Sequence, residues 1–187
     1  MKTILFCFSF VLLMANSSSD VITERFQTRT GTITFQASVD TFEPIEAINK
    51  STTIVLDVNS GDLAALALVN GFRFPNALMQ EHFNENYLES DDHPKAIIKG
   101  KLSGFKATAI TQNISKTYIL DGTLKLHGIT QNISIPININ RTGKSIQLSS
   151  DFVIKPQDYK IEIPKIVSDK IADEVLVSVK AELFKNY

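Results

Sequence analysis

Cysteine and tryptophan are the residues that this chain lacks most clearly, with one cysteine and no tryptophan among 187 residues. The cysteine, Cys7, lies inside an apolar N-terminal run. A lipoprotein needs its cysteine at the end of that run, behind small residues, so Cys7 is a poor acylation site. Cleavage near Ser17 would leave no thiol in the mature chain. Disulfides, thiolate catalysis and cysteine metal sites are then excluded together.

An excess of charge of either sign is also lacking. The chain has 19 Lys and Arg residues against 20 Asp and Glu residues, a formal net charge of −1. No net field therefore attracts a polyanion, and nucleic acid is not expected as a partner. The length suits one domain. A content of 43% apolar and 21% charged residues is ordinary for a globular domain.

Sequence motifs for catalysis and for metal binding are missing as well. The chain has no Gly-x-Ser-x-Gly elbow and no glycine-rich phosphate loop. Its histidines, His82, His93 and His127, include no pair at the i and i+4 spacing that is usual for metal ligands on a helix. Asp91 and Asp92 are the carboxylates that would join the histidines in a metal site, but Asp91-Asp92-His93-Pro94 is typical of an exposed turn. We therefore expect no enzymatic activity, no metal site and no cofactor, and we predict structural, hydrogen-bonding roles for His82 and His127.

The first residues have the pattern of an export signal. Lys2 supplies a short positive region, residues 4–14 form an apolar run, and Ala15-Asn16-Ser17 places small residues at a cleavage site. The run is too short to span about 30 Å of hydrocarbon at about 1.5 Å per residue. We predict a signal peptide over residues 1–17, a single domain over residues 18–187, and no transmembrane segment in the mature chain.

Beyond the signal, apolar and polar residues mostly alternate with a period of two, which is the pattern of a strand with one buried face. Such segments, together with two β-branched runs, span residues 31–39, 53–58, 95–102, 118–126, 131–140, 146–154 and 174–184. Turn residues separate them and crossover helices are missing, which favours a sandwich or barrel of antiparallel strands. Pro136 cannot donate to a strand ladder, so a bulge or a locally open edge is predicted there.

Residues 60–88 break this pattern. Residues 63–68 are a run of Leu and Ala behind a Ser-Gly-Asp segment suited to an N-cap, and we predict a helix there. A second helix is predicted from Asn76 to Phe83 or Tyr87, with Leu78, Met79 and Phe83 spaced to share a face. We expect this helical insertion to cap one end of a barrel.

Several segments resemble the YceI-like family of bacterial exported proteins. They match a Met-x-x-His element with following aromatics, a His-Pro-x-Ala strand start, a Gly-x-Leu-x-Leu-His-Gly-x-Thr signature with a trailing strand, and a closing strand. In this chain they are Met79-Gln80-Glu81-His82-Phe83 with Tyr87, His93-Pro94-Lys95-Ala96, Gly122-Thr123-Leu124-Lys125-Leu126-His127-Gly128-Ile129-Thr130, Ile135-Pro136-Ile137 and residues 171–183.

The resemblance implies an eight-stranded, antiparallel, lipocalin-like barrel whose short helical insertion caps one end. It also implies a long apolar tunnel for a polyisoprenoid, quinone-like or fatty-acyl chain, in a periplasmic or secreted bacterial protein with the capacity to form a homodimer. Leu88 replaces the family's second aromatic, and Ile154-Lys155-Pro156 replaces a Phe-Gly-Ile-type segment. These differences bear on the end or width of the tunnel, and hence on the ligand.

Large apolar side chains on inward faces are the candidates for contact with this ligand. They are Phe35, Leu120, Leu124, Ile133, Ile135 and Phe152 from the strands, and Phe74, Met79 and Phe83 from the insertion. Ordinary core packing is the alternative for each of them, because a small barrel either fills its interior or encloses a cavity.

These observations predict an exported binding protein that holds a long apolar ligand for transport or storage. Two alternatives stay open. One is a filled barrel that binds another protein. The other is an accessory enzyme that acts on such a lipid, with His82 or His127 as the general base.

Overall fold

The protein is an antiparallel barrel of eight strands, seen in a computed structural model that describes residues 24–38, 44–106, 108, 110, 114–164 and 171–185. Each strand pairs with its neighbours in the chain, and pairing of the first strand with the last closes the barrel. The strands are β1 Arg25–Ser38, β2 Glu46–Asp57, β3 Asp62–Leu68, β4 Lys95–Leu102, β5 Lys116–Leu126, β6 Ile129–Thr142, β7 Ser145–Ile154 and β8 Ile171–Lys185. The predicted all-β fold is confirmed. The predicted signal peptide lies outside the described residues.

Alternation of side chains along the strands forms the core. In β6 the inward residues Ile135, Ile137 and Ile139 are 6%, 3% and 1% exposed. Opposite them on β5, Leu120 pairs with Ile135 and Tyr118 with Ile137. Burial of one such side chain stabilises the fold by roughly 1.5–3 kcal/mol. A register shift of one residue would expose the whole row, so the pattern also determines how the strands pair.

Pro136 lies where β6 separates from β7. The ladder between these strands runs from Asn138 to Thr142 on β6 and stops before the proline. The Ser150 hydroxyl donates a hydrogen bond of 2.6 Å to the Pro136 carbonyl and so bridges the two strands beyond the end of the ladder. The locally open edge predicted at Pro136 is therefore present.

The helix predicted over residues 63–68 is wrong, because this segment is strand β3. Leu63 and Ala67 are buried on one face, and the strand pairs on both sides, with Thr53 opposite Leu66 and Lys101 opposite Asp62. The Ser-Gly-Asp segment before it belongs to a hairpin turn in which Gly61 N–H donates to Asp57 O at 2.8 Å. A short run of Leu and Ala favours a helix by propensity, but pairing between two strands overrides that preference.

The second predicted helix is confirmed. Helix α1 spans Ala77–His82 and continues as one π-helical turn, Phe83–Tyr87. Asn76 caps its N-terminus, with its side-chain oxygen accepting hydrogen bonds of 2.9 Å from Leu78 N–H and 3.4 Å from Met79 N–H. The prediction that Leu78 shares a face with Met79 and Phe83 is wrong. Leu78 is 57% exposed, whereas Met79 and Phe83 line the interior. Within the described ranges, no helix has both the length and the apolar character that crossing a bilayer requires.

Two glycines allow β4 and β5 to approach each other closely. Gly100 and Gly122 are direct cross-strand partners. A Cβ atom on Gly122 would overlap the Lys99 carbonyl oxygen and lie 2.5 Å from the Gly100 Cα. The ladder therefore has no room for a side chain at this position.

Substitution Gly122→Ala is expected to lower the free energy of unfolding by about 1–3 kcal/mol, because the backbone of β4 must shift to admit the methyl group. Urea denaturation measures the change. Lys125→Ala, at an exposed position of the same strand, is the control and should stay within about 0.5 kcal/mol of the unmodified protein. Equal losses in the two variants would contradict the role assigned to the glycine pair.

Candidate functional site

A cavity of about 360 Å³ occupies the capped end of the barrel. It is bounded by the C-terminal parts of β1, β3, β5 and β7, by the starts of β4 and β8, and by the insertion between β3 and β4. Among the described residues that line it, only His82 and Tyr87 carry a polar side chain. The volume falls within the range of about 300–1,000 Å³ that is usual for small-molecule sites.

Small side chains on two neighbouring strands make room for this cavity. Ala65 and Ala67 of β3 and Ala96 of β4 line it, and Ala67 and Ala96 are direct cross-strand partners. At the other end of the barrel the inward positions carry large side chains such as Leu120 and Ile139, which are 0% and 1% exposed. The interior is therefore packed at one end and open at the capped end.

Four phenylalanine rings form a cluster at the cavity wall. Phe83 of the π-helical turn stacks on Phe35 of β1, with ring centroids 5.4 Å apart. Phe74 lies 5.1 Å from Phe83, and Phe72 lies 5.5 Å from Phe35. These separations suit offset and tilted aromatic contacts, which add to the gain from burial. We call these four rings the aromatic cluster; it joins the insertion to the barrel wall.

The electrostatic character of the cavity is neutral. No Asp, Glu, Lys or Arg is among its described lining residues. Burial raises the pKa of the Tyr87 phenol above its usual range, so this hydroxyl stays protonated at physiological pH. Burial of an unpaired charge in such a site would be costly. The cavity is therefore suited to an uncharged, apolar chain or to the apolar tail of a larger molecule.

The structure brings most of the predicted tunnel residues together. Six of the nine line the cavity: Phe35, Phe74, Met79, Phe83, Leu124 and Phe152. Their contact with a ligand stays a prediction.

The other three predicted residues, Leu120, Ile133 and Ile135, do not line the cavity. Leu120 and Ile135 belong to the packed core, and Ile133, opposite Gly122 on β5, packs against two core clusters. They face inward as expected. Leu120 and Ile135 lie towards the filled end of the barrel, and alternation does not report position along the barrel axis.

Sequence reasoning missed the alanines and several large residues. Ala65 and Ala67 were missed because of the helix wrongly predicted over residues 63–68. Read as a strand, that run would have placed both on one face with Leu63, but it has no polar face to tell the inside from the outside. Phe72 was not singled out, although it is 7% exposed and contacts two rings of the aromatic cluster. Leu88 and Ile154, which depart from the family pattern, both line the cavity.

A second group of side chains lies just outside the cavity, beside the end of the insertion. His127, in the turn between β5 and β6, contacts Tyr159 O through Nδ1 at 3.0 Å and Glu89 Oε2 through Nε2 at 2.9 Å. The contact with Tyr159 O confirms that His127 has a hydrogen-bonding role, as predicted. His93 packs edge-on against His127, with ring centroids 4.8 Å apart. Sequence reasoning considered only Asp91 and Asp92 as carboxylates beside the histidines and so overlooked Glu89, which lies four residues before His93.

An eight-stranded antiparallel barrel with an apolar cavity beneath a helical cap defines a lipocalin-like class of fold. Within that class, the model of the YceI-like domain matches residues 10–183, and the chain belongs to the YceI-like domain family. The family recognised from the sequence motifs is thereby confirmed. No curated protein matches the chain.

Solved structures share this fold at low sequence identity. A polyisoprenoid-binding domain from Saccharophagus degradans, implicated in plant cell wall breakdown, superposes with a TM-score of 0.76 at 14% identity, covering 88% of this chain and 99% of that one. BcnA from Burkholderia cenocepacia has a TM-score of 0.65 at 14% identity, with coverages of 81% and 95%. A YceI protein from Campylobacter jejuni has a TM-score of 0.63 at 16% identity, with coverages of 78% and 87%. At these identities the similarity establishes the fold alone.

The aromatic cluster is expected to hold the insertion against the barrel. Substitution Phe83→Ala removes a ring that contacts three others. Amide hydrogen exchange across residues 77–87 should then accelerate by about tenfold or more. A loss of about 1.4 kcal/mol of local stability raises the equilibrium constant for local opening tenfold. Leu78→Ala, on the exposed side of α1, is the matched control and should leave the exchange rates nearly unchanged. If both variants exchange alike, the rings do not anchor the insertion.

Proposed function

We propose that this protein binds a long apolar ligand, a polyisoprenoid, quinone-like or fatty-acyl chain, in the cavity at the capped end of the barrel, and holds it for transport or storage. The single observation that carries the proposal is the uncharged cavity of about 360 Å³, lined by the aromatic cluster and by alanines. Supporting it, the neighbour from Saccharophagus degradans is described as a polyisoprenoid-binding domain.

The energetics of burial suit this ligand class. Each buried methylene group contributes about 0.8 kcal/mol, so a five-carbon isoprene unit supplies roughly 4 kcal/mol before losses. Ordering of a flexible chain offsets part of this gain. Two or three buried units are then enough for useful affinity without any charged anchor, and the described lining residues supply none.

Three positions are proposed to set the length or shape of the ligand. Leu88, Ile154 and Pro156 line the cavity and depart from the family pattern. Leu88 closes the π-helical turn, whereas Ile154 and Pro156 lie where β7 ends. Their side chains bound the space available to the ligand near the insertion and near the end of β7.

The two alternative functions have less support. A filled barrel that serves only to bind another protein does not account for an open interior at one end. An accessory enzyme with His127 as the general base is disfavoured because both ring nitrogens of His127 engage protein oxygens outside the cavity. His82 lines the cavity and is the residue on which that enzyme hypothesis still depends.

We further propose that the protein works in the periplasm or is secreted, on the basis of the signal-like pattern over residues 1–17. The homodimer implied by the family resemblance stays a prediction. Fractionation of cells and the native mass of the purified protein test these two points.

Substitution Ala65→Leu is expected to weaken lipid binding by about tenfold or more. The larger side chain takes the place of about three ligand methylenes, each contributing about 0.8 kcal/mol. Binding of a fluorescent fatty acid or a short-chain quinone measures the change. Ala64→Leu is the matched control, because it places the same side chain one residue away on the outer face of β3, and it should bind normally. Both variants must keep the thermal stability of the unmodified protein.

Native mass spectrometry of the purified protein, followed by organic extraction, tests the ligand class directly. We expect one isoprenoid or acyl species per chain. A protein that carries no lipid and takes up neither quinone nor fatty acid would overturn the proposal. Turnover of such a lipid that is lost in His82→Ala would establish the enzyme instead.

A further inference from the structure

We propose that Glu89, His93 and His127 form a binding site for one divalent transition-metal ion of the zinc class. One ligand atom from each residue lies within 4.8 Å of the others. We call these residues the Glu-His-His cluster. It lies outside the lipid cavity, where the end of the insertion meets the turn between β5 and β6, and it is independent of the proposed lipid function.

The hydrogen bonds of His127 call for a positive charge beside Nε2. The Tyr159 carbonyl, 3.0 Å from Nδ1, only accepts hydrogen bonds, so Nδ1 carries the proton. In the neutral ring, Nε2 then presents a lone pair to Glu89 Oε2 at 2.9 Å, and this oxygen also accepts. Two acceptors at this distance repel each other unless a proton or a metal ion lies between them.

The same arrangement prepares His127 as a metal ligand. A histidine that binds a metal through one nitrogen usually donates from the other to a carbonyl or carboxylate, which fixes the tautomer and the ring orientation. The Tyr159 carbonyl supplies this contact. The His127 side chain is 12% exposed, so the ring is held in place by its surroundings.

Glu89 and His93 complete a set of ligands that is typical of zinc. Nε2 of His93 lies 3.9 Å from Glu89 Oε2. Because zinc binds nitrogen and oxygen at about 2.0–2.2 Å, tetrahedral ligands are separated by roughly 3.3 Å, and small side-chain rotations bring the three atoms to that spacing. Side-chain exposures of 33% for His93 and 52% for Glu89 leave the fourth position accessible to water. Two imidazoles with one carboxylate suit zinc and its neighbours rather than calcium or magnesium.

The backbone holds the three ligands in place. Glu89 O accepts from Asp92 N–H at 3.0 Å and from His93 N–H at 2.8 Å, which keeps Glu89 and His93 on one turn. Glu89 and His127 both have left-handed backbones, with φ of 44° and 48°. Such conformations are uncommon outside glycine and concentrate at functional sites. Gly128 leaves room for the His93 ring, since a Cβ there would lie 2.9 Å from His93 Cε1.

Thermal unfolding of tag-free protein, stripped with a chelator and then titrated with zinc, tests the proposal. Metal that binds only the folded state at about 100 times its dissociation constant should raise the Tm by roughly 5–10 °C. His93→Ala should weaken zinc binding by at least about tenfold in isothermal titration calorimetry, and Glu89→Gln should weaken it as well. His82→Ala is the matched control, because it removes a histidine outside the cluster and should keep the full shift.

His127 is left unchanged, because its substitution removes the contact with Tyr159 O and lowers stability with or without zinc. The absorption spectrum of the cobalt-loaded protein supplies a second readout, since its intensity reports four-coordinate geometry and should be lost in His93→Ala. An unmodified protein whose Tm does not respond to zinc would overturn the proposal, and the cluster would then be a hydrogen-bonded contact without a metal. An equal zinc response in His93→Ala and the unmodified protein would overturn it too.

Discussion

Closure of the barrel by the pairing of β1 with β8 is the constraint on which the other features depend. After closure each strand has two neighbours, and the size of the inward side chains decides whether the interior is filled or open. Leu120 and Ile139 fill one end. At the other end the side chains of Ala65, Ala67 and Ala96 are too small to fill the interior, and a cavity remains. The small inward side chains of the strands therefore create the cavity, and the insertion covers it.

The insertion between β3 and β4 is attached to the barrel by two kinds of contact at neighbouring residues. Phe83 packs its ring against Phe35 inside the cavity, and Glu89, six residues later, meets His127 outside it. Leu88 lies between the two contacts, lines the cavity and is buried. A ligand beneath the cap and a cation at the Glu-His-His cluster would thus both restrain the same short segment, each through its own contacts.

Much of the fold could be predicted from the sequence, because a strand with one buried face leaves a period of two in its residues. The run of isoleucines in β6 shows this most clearly. The spacing of apolar residues predicted a helix from Asn76, and the structure shows that Asn76 is the N-cap of α1. The strand β3 was missed because Leu and Ala carry no polar face and favour a helix locally. Pairing with both β2 and β4 makes this segment a strand, and no local sequence pattern reports such pairing.

By itself, the sequence determined which residues face inward on the alternating strands, that a helical insertion precedes β4, and to which family the chain belongs. Tertiary structure alone decided which inward residues line the cavity: Leu124 does and Leu120 does not, although both are leucines on the same face of β5. It also decided that Glu89 meets His127 across 38 residues of chain. The physical reason is that alternation describes one strand at a time, whereas free space and long-range contacts depend on what the neighbouring strands and the cap place opposite each residue.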